Sequence, residues 1–584
     1  MSALHSDLRF APARVDVEAR PDGSLLLRSP QPLGSFARSV GEWLEHWASK
    51  TPERLFLAER ERVGDDWRRI SYAGALEAAR RVGQALLARG LGVDRPVAIL
   101  SDNSVDHALI ALGAMHVGVP VAPISPAYSL LSQDHAKLKT IFELLRPGLV
   151  YAADPAKFAA ALRAVAAEAT PIAALTDAAP TARVDEAFAG VGADTLAKIL
   201  FTSGSTGLPK GVINTQRMLT ANQQMLAQGW PFLETQPPRV VDWLPWSHTF
   251  GGNHNFNMVL RNGGTLYVDG GKPAPGLIEI SARNLREIAP TLYFNVPRGF
   301  DLLVPLLQSD AALRRNFFSE LDVLFYAGAA LPQNLWQRIE ALALAEKGGR
   351  LAMLSAWGST ETSPLATQVH FHIERAGVIG LPAPGCELKL VPVAGKLEVR
   401  VRGANVTPGY YRRPDLTQAA FDEEGFYRIG DALKLVDPRD ASRGLAFDGR
   451  VAEDFKLSTG TWVHVGAVRV KLIAAGNPLI QDAVITGHDR DEVGALLFLG
   501  PAAKDLAPDA IRLSLARALS ALAAEPGGSS MHPVRALVMT EPPAIDANEV
   551  TDKGYINQSA VLERRAGLVE KLYSDAVDII RFSG

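Results

Sequence analysis

The sequence predicts an α/β protein: a large N-terminal domain of helix-covered mixed or parallel sheets with a small β-barrel-like subdomain, then a small α+β C-terminal domain. Three observations predict it. Short apolar runs alternate with stretches of helical spacing to about residue 330, the pattern of parallel strands joined by covering helices. After about 380 the texture changes to two-residue alternation (CELKLVPVAGKLEVRVRG), which reads as β-ribbon or barrel. Finally, 584 residues are too many for one hydrophobic core. The expected divisions are an N-terminal domain over 1–449, with an extended arm over 1–35, a hinge over 450–455 at the charged run VAEDFK, and a C-terminal domain over 456–584.

Taken in order, the arm carries a turn signal at Pro21-Asp22-Gly23. Ser39 to Ser49, with Trp43, Leu44 and Trp47, is expected to be helical. So is Ile70 to Ala88, where Ser71 is a cap candidate and Leu76, Ala79, Val82 and Leu86 recur at helical spacing. Pro96 to Leu100, Val119 to Ile124 and Leu149 to Tyr151 read as strands, the last preceded by Ile141 to Leu145, with a helix at Ser104 to Val117. Leu196 to Phe201 is a buried strand, and Val212 to Gln228, with Met218, Leu219, Met225 and Leu226, reads as a helix.

Composition narrows the function. Apolar residues at 47% and charged residues at 21% fit a soluble globular enzyme. A net charge of -3 creates no bulk attraction for nucleic acid or an anionic membrane. The single cysteine, Cys386, rules out an intrachain disulfide and argues against a cysteine metal site. No signal peptide and no apolar run long enough to span a membrane are evident, so a cytoplasmic location is expected.

Six polar clusters carry candidate chemistry. The first is Thr202 to Gly211, TSGSTGLPKG. Its glycines allow sharp turns and close backbone approach, its hydroxyls add donors, and Lys210 adds a charge, which together suit a phosphate. It lacks the Gly-Lys-Ser/Thr ending of a Walker loop. The second is Trp357-Gly358-Ser359-Thr360-Glu361: an aromatic beside glycine for a flat ring, a hydroxyl for a phosphate, a carboxylate for Mg²⁺. The same letters also open a helix. The third surrounds His248 in WLPWSHTFGG; a lone histidine there also reads as a core residue. The fourth is YAGAALP, Tyr326 to Pro332, small enough for a flat ligand or for a tight turn. The fifth is YRIGD with Asp431, and Arg450 nineteen positions on, suited to ribose hydroxyls and phosphate or to a surface ion pair. The sixth is Thr551-Asp552-Lys553-Gly554-Tyr555, a lysine on a glycine-bearing turn.

In this order the clusters resemble the adenylate-forming superfamily of acyl- and aryl-CoA ligases, peptide synthetase adenylation domains and luciferases. TSGSTGLPKG, WGSTE, GYYRRPDLT and YRIGD carry the resemblance over roughly residues 35–560. Within it, the arm, LPWSHTFGGNHNF, FDGRVAEDFKLSTGTWVHVGAVR and TDKGYINQ resemble bacterial feruloyl-CoA synthases. The resemblance implies that Thr202, Ser203, Gly204, Ser205, Thr206, Gly207 and Lys210 hold ATP phosphates. It implies that Thr360 meets the α-phosphate, Glu361 the Mg²⁺, and that Gly328, Ala329, Ala330, Trp357 and Gly358 enclose adenine. Asp431 and Arg450 would bind ribose, while His248, Tyr293, Phe294, Asn295 and Val296 would line the acid pocket. Lys553 would complete adenylation from a mobile C-terminal lid, although it precedes its glycine where the family's lysine follows it, and Ala452 stands where the family's hinge carries Asp or Lys. The implied reaction joins a hydroxycinnamate such as ferulate, coumarate or caffeate to coenzyme A at the expense of ATP. A ligase for another aromatic or medium-chain acid, an adenylating enzyme feeding a carrier protein, a fold that has lost catalysis, and a homodimer are the alternatives carried forward.

Overall fold

The computed structural model describes residues 8–581 apart from 63, 204–206, 394, 525–527, 529 and 553. Strands Leu149–Ala152, Val97–Leu100, Val121–Ile124 and Leu196–Ser203 lie side by side in parallel, and Pro209–Thr215 closes that sheet antiparallel. The first three are buried along their whole length, as helix cover on both faces demands. Covering helices Tyr72–Ala88 and Val105–His116 begin where the caps predict: Ser71 Oγ accepts from Gly74 N at 3.2 Å, and Ser104 Oγ from His107 N at 3.1 Å. A second sheet sets Arg239–Asp242, Thr265–Val268 and Leu55–Glu59 in parallel, with Arg68–Ser71 antiparallel at its edge.

One expectation fails beside the glycine-rich loop. The chain continues as strand Pro209–Thr215, and the helix spans only Gln216–Gly229. Val212 and Ile213 pair with Leu200 and Ile199, where β-branched residues pack well on a pleated surface. The helix waits for Thr215, whose hydroxyl accepts from Met218 N at 3.3 Å. The described residues on either side of the loop are therefore paired antiparallel strands, and the helix does not follow the loop directly.

The third sheet is a hydrogen-bonded series of eleven strands. Leu292–Asn295, Val323–Tyr326 and Ala352–Gly358 run parallel at one end. The strands expected to form the barrel-like unit are its antiparallel continuation, ending with Lys396–Gly403 and Cys386–Val393. The arm supplies the last two, Leu25–Arg28 and Asp16–Ala19, a hairpin about Pro21-Asp22-Gly23. Arg20 N donates to Ser24 O at 2.9 Å, and Gly23 takes φ of +81° at the turn.

From residue 455 onward the chain builds its own sheet, Ile480–Thr486, Gly494–Leu499, Arg535–Val538 and Ile580–Arg581. Alternate residues serve opposite faces. Ala483, Ile485, Ala495 and Leu497 pack against helices Val465–Ala475 and Pro508–Ala523, whereas Val484 and Leu496 pack against Gln558–Arg564 and Ala566–Leu572. Among the described residues, no helix is long and apolar enough to cross a membrane.

Candidate active site

The hairpin strands bring Thr202 opposite Lys210 and Ser203 opposite Pro209; Gly204, Ser205 and Thr206 lie outside the described residues. The Lys210 ammonium sits 4.8 Å from the centre of the Tyr410 ring. The Tyr410 hydroxyl donates to Glu361 Oε1 at 3.1 Å and lies 3.2 Å from the Tyr427 hydroxyl. Burial, reinforced by the Glu361 charge, raises both tyrosine pKa values, so both stay protonated and able to donate. Backbone pairing fixes the arrangement: Tyr411 N donates to Gly211 O at 2.7 Å, and Thr407 N to Glu361 O at 2.8 Å. A cation, two phenols and a carboxylate thus share one patch. Thr360 is buried next to Glu361 in the single turn Thr360–Thr362.

Gly358 precedes that turn and tolerates no side chain: a Cβ there would lie 1.8 Å from Pro364 O and 2.6 Å from Thr362 Oγ1. Trp357 points its Nε1–H at Asp431 Oδ2, 3.0 Å away. Arg450, opposite Asp431 across the strand pair, places Nε 3.6 Å from Oδ1. Burial pushes the Asp431 pKa up to about 6, against the pull of Arg450 and the indole hydrogen bond. Gly328, Ala329 and Ala330 follow strand Val323–Tyr326 on the exposed side, with Gly328 at φ of +86°.

His248 lies two residues before a π-helical stretch, Phe250–Asn255, whose glycines are forced: a Cβ at Gly251 would meet Leu244 O at 2.2 Å, and one at Gly252 would meet Trp246 O at 2.4 Å. The buried Lys198 ammonium holds the stretch from below, donating to Gly252 O at 2.9 Å and Asn253 Oδ1 at 3.2 Å. Burial brings Lys198 down to about 7 and His254 to about 4. His254 stacks on Phe325 at 5.2 Å, with Phe250 and Phe294 edge-on at 5.8 and 5.6 Å. Phe294 and Val296 face this cluster. Tyr293 does not, because strand alternation turns it to the other face, where it packs on Phe317 at 5.1 Å. Asn295 shares the Tyr293 side, accepting from Trp243 Nε1 at 3.2 Å and donating to the Tyr293 hydroxyl at 3.1 Å.

The segment 545–555 closes over these elements. Ser132 Oγ donates to Asp546 Oδ1 at 2.6 Å, and Lys137 Nζ to Ile545 O at 2.8 Å. Asn548 abuts Gly207, since a Cβ there would lie 3.2 Å from its Nδ2. Val550 bridges Ile556 antiparallel, Gly554, at φ of +81°, donates to Thr551 O at 2.9 Å, and Thr551 N donates to Tyr555 O at 2.8 Å, so the described residues on either side of 553 pair as a hairpin. Asp552 Oδ2 reaches His248 Nε2 at 3.2 Å. A Cβ on Gly328 would lie 2.7 Å from the Tyr555 hydroxyl. Lys553, between these two contacts in sequence, lies outside the described residues.

An AMP-binding enzyme model matches residues 44–411, and an AMP-binding enzyme C-terminal domain model matches residues 457–577. The chain belongs to the AMP-binding enzyme family. A long-chain-fatty-acid–CoA ligase of Escherichia coli is 31% identical over 41% of this chain and 44% of its own length. A carboxylic acid reductase of Mycobacterium tuberculosis is 27% identical over 50% of this chain and 26% of its own length. The chain thus spans between a quarter and a half of these curated relatives. ATP-bound MatB from Rhodopseudomonas palustris shares the fold, with a TM-score of 0.67 at 22% identity, over 90% of this chain and 99% of that one.

Within this AMP-binding fold, three residues with a place at the site carried no local signal of it. Tyr410 belongs to a quoted motif, GYYRRPDLT, that by itself assigns no chemistry. Asp552 and Tyr555 flank the lysine, and their partners His248 and Gly328 lie hundreds of positions upstream. Only a pattern linking distant segments could have found them.

Proposed function

We propose that the protein is an AMP-forming acid–thiol ligase: it activates an aromatic carboxylic acid, best a hydroxycinnamate such as ferulate, coumarate or caffeate, as its acyl-adenylate and transfers the acyl group to coenzyme A. The observation that carries this reading is the convergence of Lys210 and Glu361, Trp357 and Asp431, and the His248 aromatic cluster, under the 551–555 hairpin.

ATP fits these residues. Asp431 offers acceptors for both ribose hydroxyls, Trp357 and the exposed Gly328–Ala330 loop accommodate a flat base, and the hairpin Thr202–Lys210 holds the phosphate end. Mg²⁺ fits as well. Among the described residues no three His, Cys, Asp or Glu side chains gather to cage an ion, but one carboxylate plus substrate phosphates suffices for Mg²⁺, and Glu361 is oriented for it by Tyr410. Bound there, Mg²⁺ would offset charge building on the phosphoryl oxygens.

In the first step an oxygen of the acid attacks the α-phosphorus, the bond to the β-phosphate oxygen breaks, and pyrophosphate leaves. Charge accumulates on the transferring group, so preorganised donors and cations lower the barrier. Lys210, the loop amides, Thr360 and the incoming Lys553 supply them. The neighbours of Lys553, placed at His248 and at Gly328, support that role. In the second step the thiolate attacks the acyl carbon and AMP departs with the bonding pair. The C-terminal unit turns about 450–455 between the steps, so that the hairpin leaves the acid pocket.

A CoA-dependent AMP-release assay over aromatic and aliphatic acids tests the reading. Fastest turnover with hydroxycinnamates is expected, and none with any of them would overturn the substrate class. Free CoA as acceptor separates this reading from a carrier-protein partner, for which release would need a phosphopantetheinylated protein.

A further inference from the structure

We infer that Asp552 is a positioning residue that orients the His248 imidazole in the adenylation step only, so that the acid pocket is complete just when the hairpin is docked. The inference rests on the proposed role of His248 beside the acid.

The carboxylate is nearly sealed, with its side chain 3% exposed, and Oδ2, which makes no hydrogen bond among the described residues, stands 3.2 Å from His248 Nε2 as a charge contact. A carboxylate out of water needs a cation or donors, since an unpaired one is strongly disfavoured. The groups facing Asp552 from the large domain are His248, the Tyr128 hydroxyl and the Lys137 ammonium. Of the two other acids on the closing segment, Asp546 is already used by Ser132 Oγ and by Gln133 N at 2.8 Å, and Glu549 by Arg564 and Arg565. Asp552 is thus the acid the segment brings to the mouth of the aromatic cluster.

The two partners belong to different units. His248 is anchored in the large domain, where Gly252 N donates to His248 O at 2.8 Å. Asp552 moves with the C-terminal sheet: Asn557 N donates to Glu549 O at 2.9 Å, and the buried Glu549 is clamped by Arg565 at 2.6 Å and Arg564 at 2.7 Å. Any rotation that withdraws the hairpin takes the carboxylate away and leaves the imidazole in place. The Nε2 contact is a switchable restraint on the ring, present in one half-reaction and absent from the other.

The experiment measures two half-reactions, acid-dependent ATP–pyrophosphate exchange and thioester formation from supplied acyl-adenylate. Asp552→Ala is expected to slow exchange about 10- to 100-fold, the usual consequence of a misaligned group, while thioester formation stays within about twofold. Asp552→Asn, which keeps an acceptor oxygen, recovers part of the exchange rate. With His248→Ala already present, Asp552→Ala costs little more, because both changes remove one contact. Asp546→Ala, a docking residue that does not touch His248, multiplies with His248→Ala instead. Circular dichroism confirms that each variant is folded. Independent multiplication of the Asp552 and His248 effects, equal loss of both half-reactions, or an unchanged exchange rate in Asp552→Ala overturns the inference. Absence of exchange in the wild type with every acid overturns the ligase reading as well, so the two failures are distinct.

Discussion

Asp431→Asn separates stability from function at one atom. The substitution removes the charge, while the amide oxygen still accepts from Trp357 Nε1, now 3.0 Å from Asp431 Oδ2. In an unfolded chain an aspartate titrates near pH ~3.9, whereas burial raises Asp431 to about 6 in the fold. A folded pKa above the unfolded one means that ionisation favours unfolding. The stability is fully present below the unfolded value and is lost as pH rises through the folded one. Integrating that difference gives the wild type a loss of about 1 kcal/mol between pH 5 and pH 8 that the asparagine variant escapes. The ligand-free variant should therefore gain on the wild type in thermal midpoint as pH increases. Its ATP affinity should fall roughly 10- to 100-fold, as hydrogen bonds to a charged acceptor become bonds to a neutral one. Scanning calorimetry of both proteins at four pH values, with nucleotide titrations alongside, provides the measurement. A stability gap that stays constant or shrinks with rising pH would refute the assignment of Asp431 as a buried, strained anion.

Three further outcomes are expected. Gly358→Ala forces a methyl to within 1.8 Å of Pro364 O, so it should lower the unfolding midpoint by an amount corresponding to roughly 3 kcal/mol or more, read by denaturant titration. Tyr410→Phe removes the donor to Glu361 Oε1 and should raise the Mg²⁺ concentration for half-maximal adenylation about 10-fold, with the KM for the acid unchanged. Lys553→Ala should abolish pyrophosphate exchange yet spare thioester formation from supplied adenylate; equal loss of both would remove Lys553 from the adenylation step.

Much of the fold was legible because local signals agreed with the global arrangement. Ser71 and Ser104 cap the helices they precede, and Pro21-Asp22-Gly23 turns the arm. The error after the glycine-rich loop arose where two periods compete. Met218, Leu219, Met225 and Leu226 do mark a helix, but Val212 and Ile213 in front of it answer to the neighbouring strand. At the site, motif residues such as Trp357 and Asp431 proved to touch directly. The family resemblance implies a pocket wall of Tyr293 and Phe294 together, but neighbours on a strand face opposite sides, and Tyr293 packs on Phe317 instead. Asp552 and Tyr555 were silent for a different reason, as their chemistry exists only when two units of the chain meet.

The arm hairpin bears on how this chain avoids self-association. Without it, Cys386–Val393 would present a row of unpaired backbone groups at the end of a nine-stranded sheet, a template for strand addition by other copies. Leu25–Arg28 occupies that template, and the new outer strand, Asp16–Ala19, is only four residues long, exposed throughout and doubly acidic. A short charged border is a poor partner for another sheet. By pairing with Cys386–Val393, the arm covers an edge that would otherwise be open to strand addition.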